Sequence, residues 1–157
     1  MLEQLNLSNV LFLDIETVPQ YYKYSESSEK TQALFSKKVR FLLKEDQTGE
    51  DLYDRAGIYS EFGKIVCISV GFTTSSGDNR QLRLKSFASD DEKELLEEFI
   101  ALLNSHFNGK QHLLCAHNGK EFDYPFIARR ILIHGLKLPD LLDIAGKKPW
   151  EISHLDT

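Results

Sequence analysis

Residues 9–19, NVLFLDIETVP, form the stretch of the chain that decides the fold. The first seven are mostly apolar, with the branched and aromatic side chains typical of a buried strand. Asp14 and Glu16 lie two residues apart at its end, so the twofold period of a strand places both carboxylates on one face. The polar Glu16 and Thr17, followed by Pro19, end the predicted strand. The stretch therefore predicts a buried strand that carries a pair of carboxylates to one end of a sheet.

Downstream of this strand, the hydrophobic period alternates between that of strands and that of helices. We predict, in order, a helix at 29–43, strands at 64–74 and 80–88 joined by the turn SSGDN, a helix at 91–109, a strand at 112–118, a helix at 122–135 and the start of a strand at 152–157. The connection at about 20–60 is expected to be an insertion or lid. This order predicts a single α/β domain over residues 1–157, in which helices flank a central mixed sheet.

The composition is that of an ordinary globular domain. The 157 residues are 41% hydrophobic and 27% charged, and the net charge is −5. This acidic balance argues against a protein that coats nucleic acid by charge alone, but it allows an enzyme whose carboxylates hold metal ions. The start of the chain lacks the basic flank of a signal peptide and no apolar run approaches ~18 residues, so we expect a cytoplasmic protein without a membrane span. Cys67 and Cys115 lie in apolar stretches and are expected to be reduced core thiols, since a zinc site at Cys115 and His117 would lack further ligands.

A second cluster of polar residues follows the strand predicted at 112–118, in the sequence AHNGKEFDYPFIARR. A glycine turn leads to a helix that Asp123 opens, and an isolated aspartate in that position is more often a helix cap. If the two strands are neighbours, however, Asp123 approaches the Asp14 and Glu16 carboxylates at one end of the sheet. Crowded carboxylates repel one another unless a cation lies between them, and magnesium and manganese prefer oxygen ligands. The three acidic residues therefore form a candidate site for two cations.

The two clusters resemble the first and second motifs of the DEDD superfamily of 3′-to-5′ exonucleases. LFLDIETVP is similar to the first motif and HNGKEFDYPFIARR to the second, and the likeness is greatest to the proofreading exonuclease domains of family-B DNA polymerases and their stand-alone bacterial relatives. EFGKIVCISVGF also has a counterpart in those relatives. The resemblance implies a ribonuclease H-like, three-layer α/β fold with a central mixed sheet. It also implies metal-dependent hydrolysis of phosphodiester bonds at the 3′ end of single-stranded DNA, releasing nucleoside monophosphates.

The resemblance implies a role for each acidic residue of the two clusters. Asp14 would bridge two divalent cations, Mg²⁺ or Mn²⁺. Glu16 would complete the first metal site, and Asp123 would serve the second, partly through water. One cation would generate the attacking hydroxide and the other would stabilise the leaving 3′ oxygen.

The resemblance also implies substrate contacts. Asn118 would order the second motif and contact the terminal nucleotide, the backbone near Thr17 would approach the terminal sugar, and Phe122 would pack beneath Asp123. Tyrosines at 21, 22 and 24 could stack on bases, or could equally pack the long connection against a core. Lys and Arg outnumber Asp and Glu between residues 110 and 150, which could guide a phosphate backbone or belong to an ordinary solvated face.

The sequence departs from the superfamily in its third motif. A Tyr-x-x-x-Asp or His-x-x-x-x-Asp on a helix after the last strand has no counterpart here. Asp156 lies before the position of that helix, so its place in the order argues against a role as the fourth ligand. We therefore expect a C-terminally truncated chain that lacks the final helix and the third motif, and the activity of such a fragment stays open.

Alternative functions follow from the same pattern. An RNA-directed exonuclease of the same fold differs only in how its site treats the 2′ hydroxyl, and no residue settles this point. A nucleic-acid-binding module would keep the fold without turnover. A nuclease of similar fold that cuts internally is a further possibility. The expected partner in each case is a nucleic acid. No membrane partner is expected, and the sequence does not show whether a polymerase or another protein is a partner.

Overall fold

The computed structural model of the chain describes residues 5–76 and 79–157. It contains five strands, which are β1 (Val10–Pro19), β2 (Gly63–Ser76), β3 (Asn79–Ala88), β4 (Leu113–Ala116) and β5 (Leu155–Asp156). The α-helices in these ranges are α1 (Glu29–Val39), α2 (Glu92–His106) and α3 (Asp123–Ile133), and short 3₁₀ helices lie at Leu7–Asn9, Tyr24–Glu26, Glu50–Ile58, Asp140–Leu142 and Pro149–Glu151. Within the described ranges, no helix combines the length and the apolar character that a membrane crossing requires.

The strands form one five-stranded sheet in the order β3-β2-β1-β4-β5. β1 pairs with β4 in parallel, and β4 pairs with β5 in parallel. β2 and β3 form an antiparallel hairpin, as their alternating pattern and turn signal predict. Parallel and antiparallel pairs thus share one sheet, which confirms the predicted α/β class with a mixed central sheet.

Several element boundaries differ from those predicted. β1 continues past Glu16 to Pro19, because polar residues at the end of an apolar run do not by themselves end a strand. α1 ends at Val39 rather than 43, since Phe41 is 81% exposed and Leu42 is also exposed, so neither adds to an apolar stripe. α2 begins after an Asp91 cap, as expected, and ends at His106, before Asn108. Residues 77 and 78 of the predicted SSGDN turn lie outside the described residues.

Contacts between Cα atoms divide the chain into two compact units, one made of Met1–Glu16 and Val66–Thr157 and the other of Thr17–Ile65. The core of the first unit contains apolar side chains of the sheet and of both its helices. Among its fully buried members are Leu11, Ile68, Leu95, Leu96, Phe99, Leu103, Leu114 and Ile127. The helical spacing predicted for α2 is therefore the spacing of its buried face. The prediction of a single exonuclease-like domain with a lid at about 20–60 stays a prediction.

The Thr17–Ile65 unit has an aromatic core of its own. Phe35 is fully buried, and the rings of Tyr53 and Phe62 meet it edge-on at centroid distances of 5.4 and 5.3 Å. Tyr24 packs against Phe35 and Tyr53, and its hydroxyl donates to the carbonyl oxygen of Gln32. Tyr24 therefore serves packing rather than base stacking.

A buried ion pair joins α2 to α3 in the first unit. The Arg130 guanidinium donates from Nε to Glu92 Oε1 at 2.9 Å and from its Nη2 to Oε2 at 2.5 Å, and both side chains are about as buried as the apolar core. His134 Nε2 lies 2.8 Å from the same Oε2. A planar guanidinium that meets a carboxylate with two parallel bonds fixes both the distance and the rotation of the two helices. Arg130 therefore belongs to neither a phosphate-guiding surface nor a solvated face, because this contact takes its side chain out of solvent.

We expect Arg130→Met to lower the free energy of unfolding by about 3 kcal/mol, because the Glu92 carboxylate would stay buried without the guanidinium that pairs with it. The matched control is Arg129→Met at the exposed neighbouring position, for which we expect a change within about 0.5 kcal/mol. Urea unfolding followed by circular dichroism measures both. Equal values for the two variants would contradict the assignment of the ion pair as a helix-to-helix anchor.

Candidate active site

The candidate site lies where β1 and β4 end. The registered pairs Val10↔Leu113 and Phe12↔Cys115 set the two strands side by side in the same direction. Asp14 follows the last of these pairs by two residues, and β4 ends at Ala116. The condition on which the sequence argument depended, that the two strands are neighbours, is met.

Asp123 is the first residue of α3, and its side chain is only 3% exposed. Phe122 occupies the N-cap position, so Asp123 lies in the first turn of the helix and not at its cap. Burial raises the pKa of the Asp123 carboxyl to about 6, and the negative charges of Asp14 and Asp156 also raise it. Hydrogen bonds from the backbone N–H groups of Asp123 and Ile15 act in the opposite direction. The carboxyl of Asp123 thus lies against β1, at the residue between Asp14 and Glu16.

The turn between β4 and α3 fixes the position of Asp123 at the start of the helix. Asn118 has a φ of 53°, and its carbonyl oxygen accepts from the backbone N–H of Glu121 and Phe122. Gly119 leaves no room for a side chain, because a Cβ there would lie 2.6 Å from the Ala116 Cβ and 2.7 Å from the Tyr124 ring. The glycine therefore lets the turn pack directly on α3, a close approach that any other residue would block.

The other predicted site residues lie on accessible parts of the chain. Asp14 and Glu16 are exposed on β1, and Asn118 is exposed in the turn. Phe122 is half-buried, with its ring 5.5 Å from that of Phe126. Thr17 is half-buried in β1 and belongs to the Thr17–Ile65 unit. The substrate contacts predicted for Asn118, Phe122 and Thr17 stay predictions.

The expected metal centre is incompletely assembled. Among residues 5–76 and 79–157, no three His, Cys, Asp or Glu side chains are placed to hold one metal ion together. The carboxyls of Asp14 and Asp123 nevertheless interact, and the Asp123 carboxyl is destabilised by burial and by like charge. Oxygen donors that repel one another fit a hard divalent cation, which would remove that repulsion.

Asp156 also belongs to this cluster of carboxylates, although its place in the order of motifs argues against a role as the fourth ligand. Its Oδ1 accepts from the backbone N–H of Gly119 at 3.0 Å, and its Oδ2 accepts from that of Lys120 at 3.3 Å. No local feature of the sequence identifies it. Asp156 is the last residue of β5, which pairs in parallel with β4, so its side chain reaches the same end of the sheet as Asp14.

The lysines counted between residues 110 and 150 do not all gather at this site. Lys110, Lys137 and Lys147 line a cavity of about 470 Å³ next to His112 and His154. Those histidines precede β4 and β5, so the cavity lies at the opposite ends of the strands from Asp14. These three lysines therefore lie away from the candidate site.

A model of the family described as "predicted 3′-5′ exonuclease related to the exonuclease domain of PolB" matches residues 58–155, more than half of the chain. The chain belongs to this family. Membership confirms the resemblance to the exonuclease domains of family-B DNA polymerases, and it agrees with the ribonuclease H-like fold class. The matched range of this exonuclease-family chain includes Asn118, Phe122 and Asp123, whereas Asp14, Glu16 and Thr17 lie before it.

Solved structures give weaker likenesses. The family B DNA polymerase from the hyperthermophilic archaeon Pyrobaculum calidifontis is 18% identical with a TM-score of 0.42, over 82% of this chain and 11% of that one. E. coli Exonuclease I in complex with a dT13 oligonucleotide is 11% identical with a TM-score of 0.45, over 94% of this chain and 27% of that one. The zinc-bound E. coli ExoI–ssDNA complex has the same identity and TM-score, over 97% and 28%. The exonuclease-family chain thus spans less than a third of each, and TM-scores this low carry no functional conclusion. None of the curated proteins compared with the chain matches it.

The pKa of Asp123 predicts a pH-dependent stability in metal-free buffer. The pKa of this carboxyl is about 6 in the folded state and near 3.8 in the unfolded chain, so the folded state binds the proton more tightly. The carboxyl therefore destabilises the fold as pH rises through 6. We expect the unfolding free energy of Asp123→Asn, relative to the parent, to increase by roughly 2 kcal/mol between pH 4 and pH 7. Chemical denaturation at both pH values measures it, with the exposed Asp143→Asn as control. A difference that stays constant with pH would refute the assignment.

Proposed function

We propose that the chain is a metal-dependent 3′-5′ exonuclease domain that hydrolyses phosphodiester bonds at the 3′ end of single-stranded DNA and releases nucleoside monophosphates. The observation that carries the proposal is the buried Asp123 carboxyl, which lies against β1 between Asp14 and Glu16 in a chain of the exonuclease family. A buried carboxyl with a raised pKa beside a second acidic group is typical of a reaction centre. The cytoplasmic location expected from the start of the chain and its two cysteines belongs to the same proposal.

In this proposal, Asp14, Glu16 and Asp123 hold two divalent cations, Mg²⁺ or Mn²⁺. When bound, such cations supply an activated water and stabilise the charge on the leaving 3′ oxygen. The chain itself contributes a fixed set of oxygen donors. Burial of Asp123 strengthens its attraction for a cation, because little water competes for the carboxylate. Asp14 and Glu16 are exposed and can meet a phosphate from solvent.

Substrate contacts are proposed for residues next to these carboxylates. Asn118 is exposed in a left-handed turn, so its amide is free to donate to a terminal nucleotide. Phe122 offers part of its ring beside Asp123. Thr17 would approach the terminal sugar through its backbone. A choice between DNA and RNA depends on the treatment of the 2′ hydroxyl, which makes RNA the first substrate to compare.

A second candidate function is a nucleic-acid-binding module without turnover. It is favoured by one observation, that the described residues contain no group of three side chains placed to hold a metal ion together. The two functions differ in whether metal binding and strand degradation depend on the same carboxylates.

We expect the intact protein to shorten a 5′-labelled single-stranded oligonucleotide from its 3′ end when Mg²⁺ or Mn²⁺ is present. Asp14→Asn and Asp123→Asn should each reduce this rate by at least about a hundredfold, because each removes an oxygen donor from the metal site. Asp90→Asn, at an exposed position before α2, is the matched control and should retain the parent rate. Gel analysis of product lengths measures the rate of degradation, and calorimetric titration with Mn²⁺ measures metal binding.

Three outcomes contradict the exonuclease in different ways. Strand binding that survives chelation and both substitutions, without degradation, supports the binding module. Cleavage of circular single-stranded DNA shows internal cutting. Degradation that prefers RNA keeps the fold and the metal site but replaces the substrate.

A further inference from the structure

We propose that Asp156 is a positioning residue for Asp123, because it clamps the turn between β4 and α3 from which Asp123 projects. This inference deepens the proposed function and rests on it for its catalytic consequence. It does not make Asp156 a metal ligand. The argument depends on contacts within the unit formed by Met1–Glu16 and Val66–Thr157.

The first observation is that both carboxylate oxygens of Asp156 are engaged by the turn. Oδ1 accepts from Gly119 N at 3.0 Å and Oδ2 accepts from Lys120 N at 3.3 Å. Two successive backbone N–H groups therefore point at one carboxylate. Bonds to an ionised acceptor are stronger than bonds between neutral groups, so the two bonds together restrain the backbone of the turn.

The second observation is that the turn has few other supports at these two residues. Asn118 adopts a φ of 53°, a left-handed conformation that asparagine adopts more readily than most other non-glycine residues. Its carbonyl oxygen accepts from Glu121 N and Phe122 N, and Gly119 O accepts from Tyr124 N. These bonds tie the later part of the turn to α3. They leave the N–H groups of Gly119 and Lys120 to Asp156.

The third observation is that Asp156 is itself fixed. Ala116 pairs with Asp156 across the parallel β4 and β5 strands, and Thr157 N donates to Ala116 O at 3.2 Å. The Tyr124 hydroxyl donates to Leu155 O at 2.8 Å, which joins α3 to the same two-residue strand. The clamp therefore links β4, β5 and α3, the elements around Asp123.

The carboxylate of Asp156 lies close enough to the Asp123 carboxyl to affect it. The charge of Asp156 acts on the Asp123 carboxyl, and that carboxyl also accepts from the backbone N–H of Ile15. A shift of the turn would move the start of α3 and so separate the Asp123 carboxyl from Asp14. Errors of about 1 Å in the position of a reacting group can reduce a rate by about a hundredfold.

The test compares Asp156→Asn with Asp156→Ala in the intact protein. Asparagine keeps one oxygen acceptor and loses the charge, whereas alanine loses both bonds. We expect kcat for a single-stranded oligonucleotide to fall by about tenfold in Asp156→Asn and by about a hundredfold in Asp156→Ala, with KM within about twofold of the parent. Asp143→Asn and Asp143→Ala, at an exposed position before the final 3₁₀ helix, are the matched controls.

A second measurement does not depend on activity. Amide hydrogen exchange should become faster at Gly119 and Lys120 in Asp156→Ala and intermediate in Asp156→Asn, while amides of α2 keep their protection. Unchanged exchange at both turn amides overturns the clamp whatever the activity. Equal losses of kcat in the two variants, together with loss of Mn²⁺ binding as in Asp14→Asn, overturn it in favour of a ligand role. If the parent protein has no exonuclease activity, the proposed function fails, and exchange at the two amides still decides whether the clamp exists.

Discussion

Parallel pairing between β1 and β4 is the constraint on which the rest of the first unit depends. The register Val10↔Leu113 sets two distant parts of the sequence in the same direction, so their carboxyl ends meet at one end of the sheet. A shift of one residue in β1 would turn Asp14 to the opposite face. The buried Leu11 and Leu114 resist such a shift, because they would have to leave the core. Apolar burial thus determines where the acidic side chains emerge.

The position of Asp123 is set by helix packing as well as by the sheet. α3 is buried along most of its length, and its Arg130 is joined to Glu92 at the start of α2. At its other end the helix meets the Asn118 turn and the hydroxyl contact of Tyr124 with Leu155. His154 adds a further tie, since its Nδ1 accepts from Leu114 N and its Nε2 donates to Leu141 O. Asp123 is therefore held from both ends of α3 and from the neighbouring strands.

The sequence predicts those parts of this arrangement that depend on local or periodic patterns of side chains. Strand alternation and helical spacing locate the hairpin, α2 and the strand with Asp14, because side-chain period follows directly from backbone geometry. The ends of helices and strands were harder to predict, since β1 extends to Pro19 and α1 ends at Val39. Some contacts between single side chains and distant parts of the chain were not predicted at all. Nothing local in Arg130 or Asp156 signals that one is buried on Glu92 and the other bonds a turn nearly forty residues earlier.

The buried carboxyl of Asp123 has a consequence for the protein as a thermodynamic system. A carboxylate kept from water beside Asp14 makes the free fold less stable at neutral pH than its packing alone would allow. Any ligand that neutralises this charge binds the folded chain and not the unfolded one, and so returns the lost stability by mass action. Resistance of this domain to heat is then a property of its ionic surroundings as much as of its core. If the proposed cations bind at this carboxyl, two preparations with identical sequence and identical packing would differ in melting temperature according to the divalent cation that each contains.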